Sequence, residues 1–159
     1  MKKKFPFHSI LIVCSVNTAR SRIAEGFLKD FFSKTNLDVE IKSCGISSHA
    51  RDGMLISMDA RLAMEEVGIK LSENSLSIDL KKHPEILKDV DLILTLTDKH
   101  KEEIHELFNI DGKDILTIKE FAGEDGDIED PSMKELEGFR KARNEIIDYL
   151  MKGLNRYEF

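Results

Sequence analysis

Ser9-Ile10-Leu11-Ile12-Val13-Cys14, followed by Ser15-Val16-Asn17-Thr18-Ala19-Arg20-Ser21, is the stretch on which the reading of this chain turns. The first six residues are apolar almost without interruption, as expected for a strand buried on both faces of a sheet rather than on one. A loop of small and polar residues follows. From Ser21 to Phe32 the apolar residues Ile23, Phe27 and Phe31, with Ala24, Leu28 and Phe32, recur at helical spacing. Strand, tight loop and helix in that order form the first unit of an α/β fold.

The same alternation continues outward. Val39 and Ile41 stand between charges and predict a second strand ending near Ser43. Met54 to Val67 reads as a helix with apolar positions 60, 63, 64 and 67, stopped by Gly68. Pro84 suits the first turn of a short helix over His83 to Lys88. Leu92 to Leu96 is a third, buried strand, and Asp98 is placed to cap a helix carrying Ile104, Leu107 and Phe108. Ile115 to Ile118 is a fourth strand. Phe121 to Pro131 is a long polar loop, a kind of segment that is often functional. Pro131 opens a last helix with apolar positions 136, 139, 146, 147, 150 and 154. Strands alternating with helices imply right-handed crossovers and a parallel sheet covered on both faces. The expectation is a single α/β domain over residues 1–159, with residues 1–7 as a short basic extension.

Length and composition agree. At roughly 150 residues per domain, 159 residues make one domain. Hydrophobic residues at 41% and charged residues at 34% describe a globular chain, not a disordered one. A net charge of −6 argues against a general binder of nucleic acid or anionic membranes. The longest apolar run, Ile10 to Cys14, is far short of the roughly 20 residues that cross a bilayer. Met1-Lys2-Lys3-Lys4 looks like the start of a signal peptide, but Phe5-Pro6-Phe7-His8-Ser9 is too mixed to continue one, so a cytoplasmic protein is expected. Cys14 and Cys44 are the two cysteines, too few for a disulfide framework or a four-ligand zinc site.

Ligands of open parallel sheets sit at the carboxyl ends of the strands, which directs attention to Cys14. A loop entering a helix points several backbone N–H groups into one concavity that binds anions. Arg20 can grip two oxygens of a phosphoryl group side by side. The same positive surroundings favour a thiolate at Cys14, and the Ser21 hydroxyl can donate to that sulfur. Taken alone, a cysteine ending a buried strand is usually a small core residue. The strand before, the turn between and the helix after favour an anion-binding nucleophile loop. The loop has neither the glycines nor the lysine of the nucleotide-binding G-x-x-x-x-G-K-[ST] pattern.

Residues 10–26, Ile-Leu-Ile-Val-Cys-Ser-Val-Asn-Thr-Ala-Arg-Ser-Arg-Ile-Ala-Glu-Gly, resemble the start of low-molecular-weight protein-tyrosine phosphatases and their thiol-dependent arsenate reductase relatives. Ser43-Cys44-Gly45 looks like that family's turn after the second strand, Asp91 to Thr97 like its third core strand, and Asp130-Pro131 like its general-acid loop. The resemblance implies a four-stranded parallel sheet flanked by helices on both faces. It implies Cys14 as nucleophile, Arg20 as phosphate clamp and Asp130 as general acid. Ser15, Val16, Asn17, Thr18, Ala19 and Ser21 then form the substrate-binding loop, with Asn17 shaping it and Ser21 holding the thiolate. No metal and no cofactor are implied. The expected partners are phosphorylated proteins, with inorganic phosphate or vanadate as product or inhibitor.

Three positions depart from the family. Val16 stands where glycine is usual, and a β-branched residue hinders the loop if a positive φ is needed there. Ala19 replaces a second cysteine that many members carry, removing a disulfide that protects the nucleophile from oxidation. Arg22 replaces a proline; it is either a second cation at the pocket rim or a solvated helix side chain.

Phosphotyrosine is the default substrate that the resemblance carries. Tyrosine-specific members often place aromatic residues just after Asp-Pro to sandwich a phenyl ring; Ser132 and Met133 stand there instead. Thr18 matches the bacterial phosphoarginine phosphatases, which makes phosphoarginine the alternative. A third reading is arsenate reduction with partner thiols, since the relay of such reductases needs two further cysteines and none lies between Gly45 and Phe159. A catalytically dead anion-binding module has only Val16 in its favour. Asp127 is the rival acid, otherwise a solvated loop charge with Glu124, Asp125 and Glu129. The five histidines are read as surface or core residues, Cys44 as a packed thiol, and His49 and Arg51 as loop residues.

Overall fold

The computed structural model describes residues 1–159. Four strands form a parallel sheet: β2 (Ser9–Cys14), β3 (Glu40–Gly45), β4 (Leu92–Thr95) and β5 (Asp114–Thr117), in the order β3-β2-β4-β5. A further pair, β1 (Lys3–Lys4) and β6 (Tyr157–Glu158), lies outside that sheet. The helices are α1 (Arg20–Ser33), α2 (Met58–Glu65), α3 (Asp98–Leu107), α4 (Ile118–Phe121) and α5 (Glu135–Leu154). Two 3₁₀ turns, Leu80–Lys82 and Pro84–Leu87, follow α2. No helix is long and apolar enough to cross a membrane.

Strand β2 explains why the chain folds around it. All six of its residues are buried, and successive side chains go to opposite faces. Ile10, Ile12 and Cys14 join the larger core, with α1, α2 and α5 over them; Leu11 and Val13 join a smaller one with Cys44, Leu80, Ile93 and Ile104. Each fully buried Ile or Leu contributes about 1.5–3 kcal/mol, so a strand with two apolar faces is driven to the centre. The carboxyl ends of β2 and β3 meet where Cys14 pairs with Gly45. This is the edge of the sheet where the loops after β2, β3 and β4 converge.

Several boundaries differ from the sequence reading. Helix α2 begins at Met58, not Met54, because the preceding residues are held extended by distant partners. The Met54 N–H donates to Ser77 Oγ at 2.9 Å, and the Ser57 N–H donates to the Thr18 carbonyl at 2.9 Å. Strand β5 stops at Thr117 because Thr117 and Glu120 form a reciprocal cap that starts the short helix α4. Thr97, not Asp98, caps α3, its hydroxyl accepting from the His100 N–H. Helix α5 begins at Glu135, four residues beyond Pro131; Met133 sits at φ 75°, which no helix interior accommodates.

The segment before α5 is tied down: Ile128 is fully buried and its N–H donates to the Leu96 carbonyl at 2.9 Å. The basic N-terminal stretch is woven into the fold. Lys3 and Lys4 pair with Tyr157 and Glu158, and Phe5 is buried against Phe32, Tyr157 and Phe159, with ring centroids 5.1–5.5 Å apart.

Candidate active site

The loop from Ser15 to Ala19 wraps around the sulfur of Cys14. Cys14 Sγ lies 2.9 Å from Ser21 Oγ and accepts from the Asn17 N–H at 3.3 Å. The loop's left-handed residue is Asn17, at φ 63°, and not Val16. Asparagine tolerates that region where a β-branched residue does not, so the strain expected at Val16 does not arise.

Asn17 is buried and fully used. Its Nδ2 donates to Ser21 Oγ at 2.8 Å and to Ser43 Oγ at 2.9 Å, while its Oδ1 accepts from the Ile78 N–H at 3.0 Å. The loop rests on β3, where a Cβ on Gly45 would come within 2.7 Å of the Ser15 carbonyl oxygen. Backbone bonds from Ile46 to the Cys14 carbonyl and from Ser47 to the Ser15 carbonyl complete the seat. Helix α1 starts without a side-chain cap at Ala19, so its first amides are available to an anion together with those of the loop.

Arg20 is nearly fully buried at the start of α1. Its Nη1 donates to the Ile128 carbonyl at 2.6 Å and its Nη2 to Ser15 Oγ at 3.4 Å. Nη2 also stands 4.0 Å from Asp130 Oδ2. Asp130 is half exposed and its Oδ1 accepts from the Ser132 N–H at 3.0 Å. Burial pushes its carboxyl pKa up, but the bonds from Ser132 and the charge of Arg20 outweigh this and leave it below the ordinary value.

A cavity of about 250 Å³ opens here, lined by Cys14, Ser15, Val16, Thr18, Ala19 and Arg20 from the loop, and by Ser57, Asp130, Ser132 and Phe139 around it. Asn17 and Ser21 stand behind the loop rather than in the cavity. The residues singled out in the sequence thus come together, six of them with Asp130 on the cavity wall. The arrangement offers a sulfur nucleophile, a guanidinium fork, a ring of amide donors and a carboxyl group around one cavity.

Some neighbours differ from their reading. Asp127 is no free loop charge: its Oδ1 accepts from the Asp98 N–H at 2.8 Å, on the first turn of α3, and it does not line the cavity. Arg22 is neither solvated nor at the rim. It is 4% exposed, with Nε 3.3 Å from Glu25 Oε1 and its Nη1 donating to the Leu76 carbonyl at 3.2 Å. Cys44 faces the smaller core, where burial pushes its thiol pKa well up. His49 and Arg51 are exposed.

His100 is the neighbour that sequence reasoning missed. It is buried, with Nε2 2.9 Å from Ser15 Oγ. Burial, reinforced by the charge of Arg20, lowers its pKa to about 4, so the ring is neutral near pH 7. Nothing local signals this, because its partner is 85 residues away.

Comparison with known proteins follows the same lines. A protein-arginine-phosphatase of Geobacillus stearothermophilus is 35% identical over 151 residues, 92% of this chain and 96% of that one. A low molecular weight protein-tyrosine-phosphatase of Staphylococcus haemolyticus is 33% identical over 152 residues, 91% of this chain and 96% of that one. The crystal structure of a low molecular weight protein tyrosine phosphatase from T. tengcongensis superposes with a TM-score of 0.84 at 32% identity, covering 93% of this chain and 98% of that one. The profile of the family described as low molecular weight phosphotyrosine protein phosphatase matches residues 9–156, and with the sheet and the loop arranged as above, the chain belongs to that phosphatase family.

Proposed function

We propose that the protein is a metal-independent protein phosphatase that works through a phosphocysteine at Cys14. The observation that carries this is the convergence of Cys14, Arg20 and Asp130 on one cavity. The Cys14 thiolate attacks phosphorus from the side opposite the leaving group; the S–P bond forms as the bond to the leaving oxygen or nitrogen breaks. Arg20 and the amides of the loop hold the three equatorial oxygens, where positioning and charge stabilisation supply most of the catalysis. Asp130 gives its proton to the leaving atom. It then takes a proton from the water that attacks the phosphocysteine, releasing inorganic phosphate and the thiolate.

Among phosphorylated proteins, the geometry favours phosphoarginine over the family default, phosphotyrosine. Thr18, Ser57, Ser132 and the Asp130 carboxylate supply hydrogen-bonding groups around the cavity, and buried Phe139 is the one aromatic residue lining it. A guanidinium is matched by hydroxyl and carboxylate acceptors. A phenyl ring is matched by aromatic faces, and Met133, which follows Ser132, projects fully into solvent. The named activity of the Geobacillus relative supports the same choice. A thiol relay within the chain finds no support, since Cys14 and Cys44 face opposite cores; arsenate reduction would have to draw on partner thiols. The deciding experiment assays phosphoarginine and phosphotyrosine peptides of one sequence side by side. A higher kcat/KM for phosphoarginine is expected, and a clear preference for phosphotyrosine contradicts the substrate assignment.

A further inference from the structure

Behind the loop, on the face of α1 turned away from the cavity, Arg22 is buried and paired. A buried guanidinium is costly unless its donors are met. Here Nε lies 3.3 Å from Glu25 Oε1, Nη1 donates to the Leu76 carbonyl and Nη2 to Ser75 Oγ. Glu25 is held from its other side by Lys29, whose Nζ lies 2.9 Å from Oε2.

Glu25 is also the far end of a hydrogen-bond chain whose direction can be worked out donor by donor. A carboxylate only accepts, so at 2.6 Å the Ser43 hydroxyl donates to Glu25 Oε1. With its proton committed there, Ser43 Oγ accepts from Asn17 Nδ2. The Asn17 amide cannot flip, because its Oδ1 accepts from the Ile78 N–H. The second Nδ2 proton goes to Ser21 Oγ. Ser21 then accepts from Asn17, and its own proton is left for Cys14 Sγ, 2.9 Å away.

We propose that Arg22 is a positioning residue for the Cys14 thiolate: it fixes Glu25 as the accepting end of this chain, and Glu25 through Ser43 joins the Ile78 N–H in holding the Asn17 amide where it donates to Ser21 and leaves the Ser21 proton for the sulfur. Burial lowers the Arg22 pKa, while the charges of Glu25 and Cys14 raise it in part. The titratable and charged groups around Arg22 are Glu25, Lys29 and Asp30 on its own helix, Lys70 across the adjoining hollow, and Cys14 at the end of β2. The consequence for turnover rests on Cys14 being the nucleophile; the consequence for sulfur reactivity does not.

The experiment compares Arg22→Met, which keeps the length without the charge, with Arg22→Lys, which keeps the charge. The readouts are the iodoacetamide alkylation rate of Cys14 at pH 6, with the adduct located by mass spectrometry, and kcat and KM for p-nitrophenyl phosphate. Circular dichroism reports folding. In Arg22→Met both the alkylation rate and kcat fall about tenfold, the scale of one hydrogen bond to a charged group, while KM stays within about twofold. Arg22→Lys retains rates within about threefold of the parent. A folded Arg22→Met whose Cys14 alkylates as fast as the parent overturns the proposal, as does Arg22→Lys falling as far as Arg22→Met. If Arg22→Met does not fold, Ser43→Ala cuts the same chain at its middle link; it is expected to slow alkylation similarly, and an unchanged rate overturns the proposal. An active Cys14→Ser enzyme overturns the nucleophile assignment instead and leaves the alkylation result standing.

Discussion

Arg20 Nη1 and the Ile128 carbonyl oxygen lie 2.6 Å apart, joining positions 108 residues apart in the chain. Ile128 is fully buried and bonded to Leu96, just past β4. Arg20, the proposed clamp on the phosphoryl group, is therefore fixed to the segment that carries Asp130, two residues on. Arg20 and Asp130 share one support, which keeps Asp130 over the cavity although its own side chain is half exposed.

That placement makes a leaving-group prediction. Asp130→Asn lowers kcat by about 10²–10⁴-fold for phosphoarginine or an alkyl phosphate, whose leaving atoms need a proton. It lowers kcat much less for an activated aryl phosphate. The basic limb of the pH profile flattens, because that limb reports the protonated acid. In the parent enzyme Asp130 sits below its ordinary pKa beside Arg20. A bound phosphoryl dianion neutralises Arg20 and pushes the carboxyl up, so the basic limb of kcat lies at higher pH than that of kcat/KM. Asp127→Ala, which removes a bond to the α3 backbone, costs about 1 kcal/mol of stability and leaves the leaving-group dependence in place. The reverse pattern moves the acid to Asp127.

Gly45→Ala tests the seat of the loop. Its Cβ meets the Ser15 carbonyl oxygen at 2.7 Å and the Val16 carbonyl carbon at 3.0 Å, both backbone atoms that cannot swing aside. The strain of overpacking is about 1–3 kcal/mol. Displacing the amides that receive the phosphoryl group costs activity as well, by about tenfold or more in kcat. Wild-type kinetics in Gly45→Ala contradict the tight seat.

The four strands and the loop after Cys14 were legible because they rest on local signals. Ile10 to Cys14 is apolar throughout, and the Cys-to-Arg spacing lies within a single loop. What was not legible depends on partners far along the chain. Residues Met54 to Ser57 carry no mark that Ser77 and Thr18 hold them extended. Arg22 reads as a surface residue until Leu76 and Ser75 close over it. His100 gains its meaning only from Ser15. Val16 carries no left-handed strain, because the left-handed turn falls one residue on, at Asn17.

His100 makes stability depend on pH. Its pKa in the folded protein is about 4, below the ordinary 6.5. Between those values the unfolded chain binds the proton that the folded chain refuses, so stability is full above pH 6.5 and falls as the pH drops toward 4. The loss is of the order of 3 kcal/mol. His83, whose pKa is raised by Asp52, acts in the opposite sense, so the readout is the difference between parent and variant. Urea titrations of His100→Gln show a shallower fall between pH 6.5 and 4; slopes identical to the parent contradict a buried neutral imidazole.

In the proposed mechanism Cys14 forms the covalent bond to phosphorus while the loop around it binds the oxyanion. Cys14→Ser separates the two, since the loop amides and Arg20 survive the change and the thiolate does not. The most direct measurement is p-nitrophenyl phosphate turnover by Cys14→Ser, alongside calorimetric titration of the same folded protein with vanadate or phosphate. No turnover above background is expected, with oxyanion binding retained; turnover close to wild type would contradict the nucleophile role of Cys14.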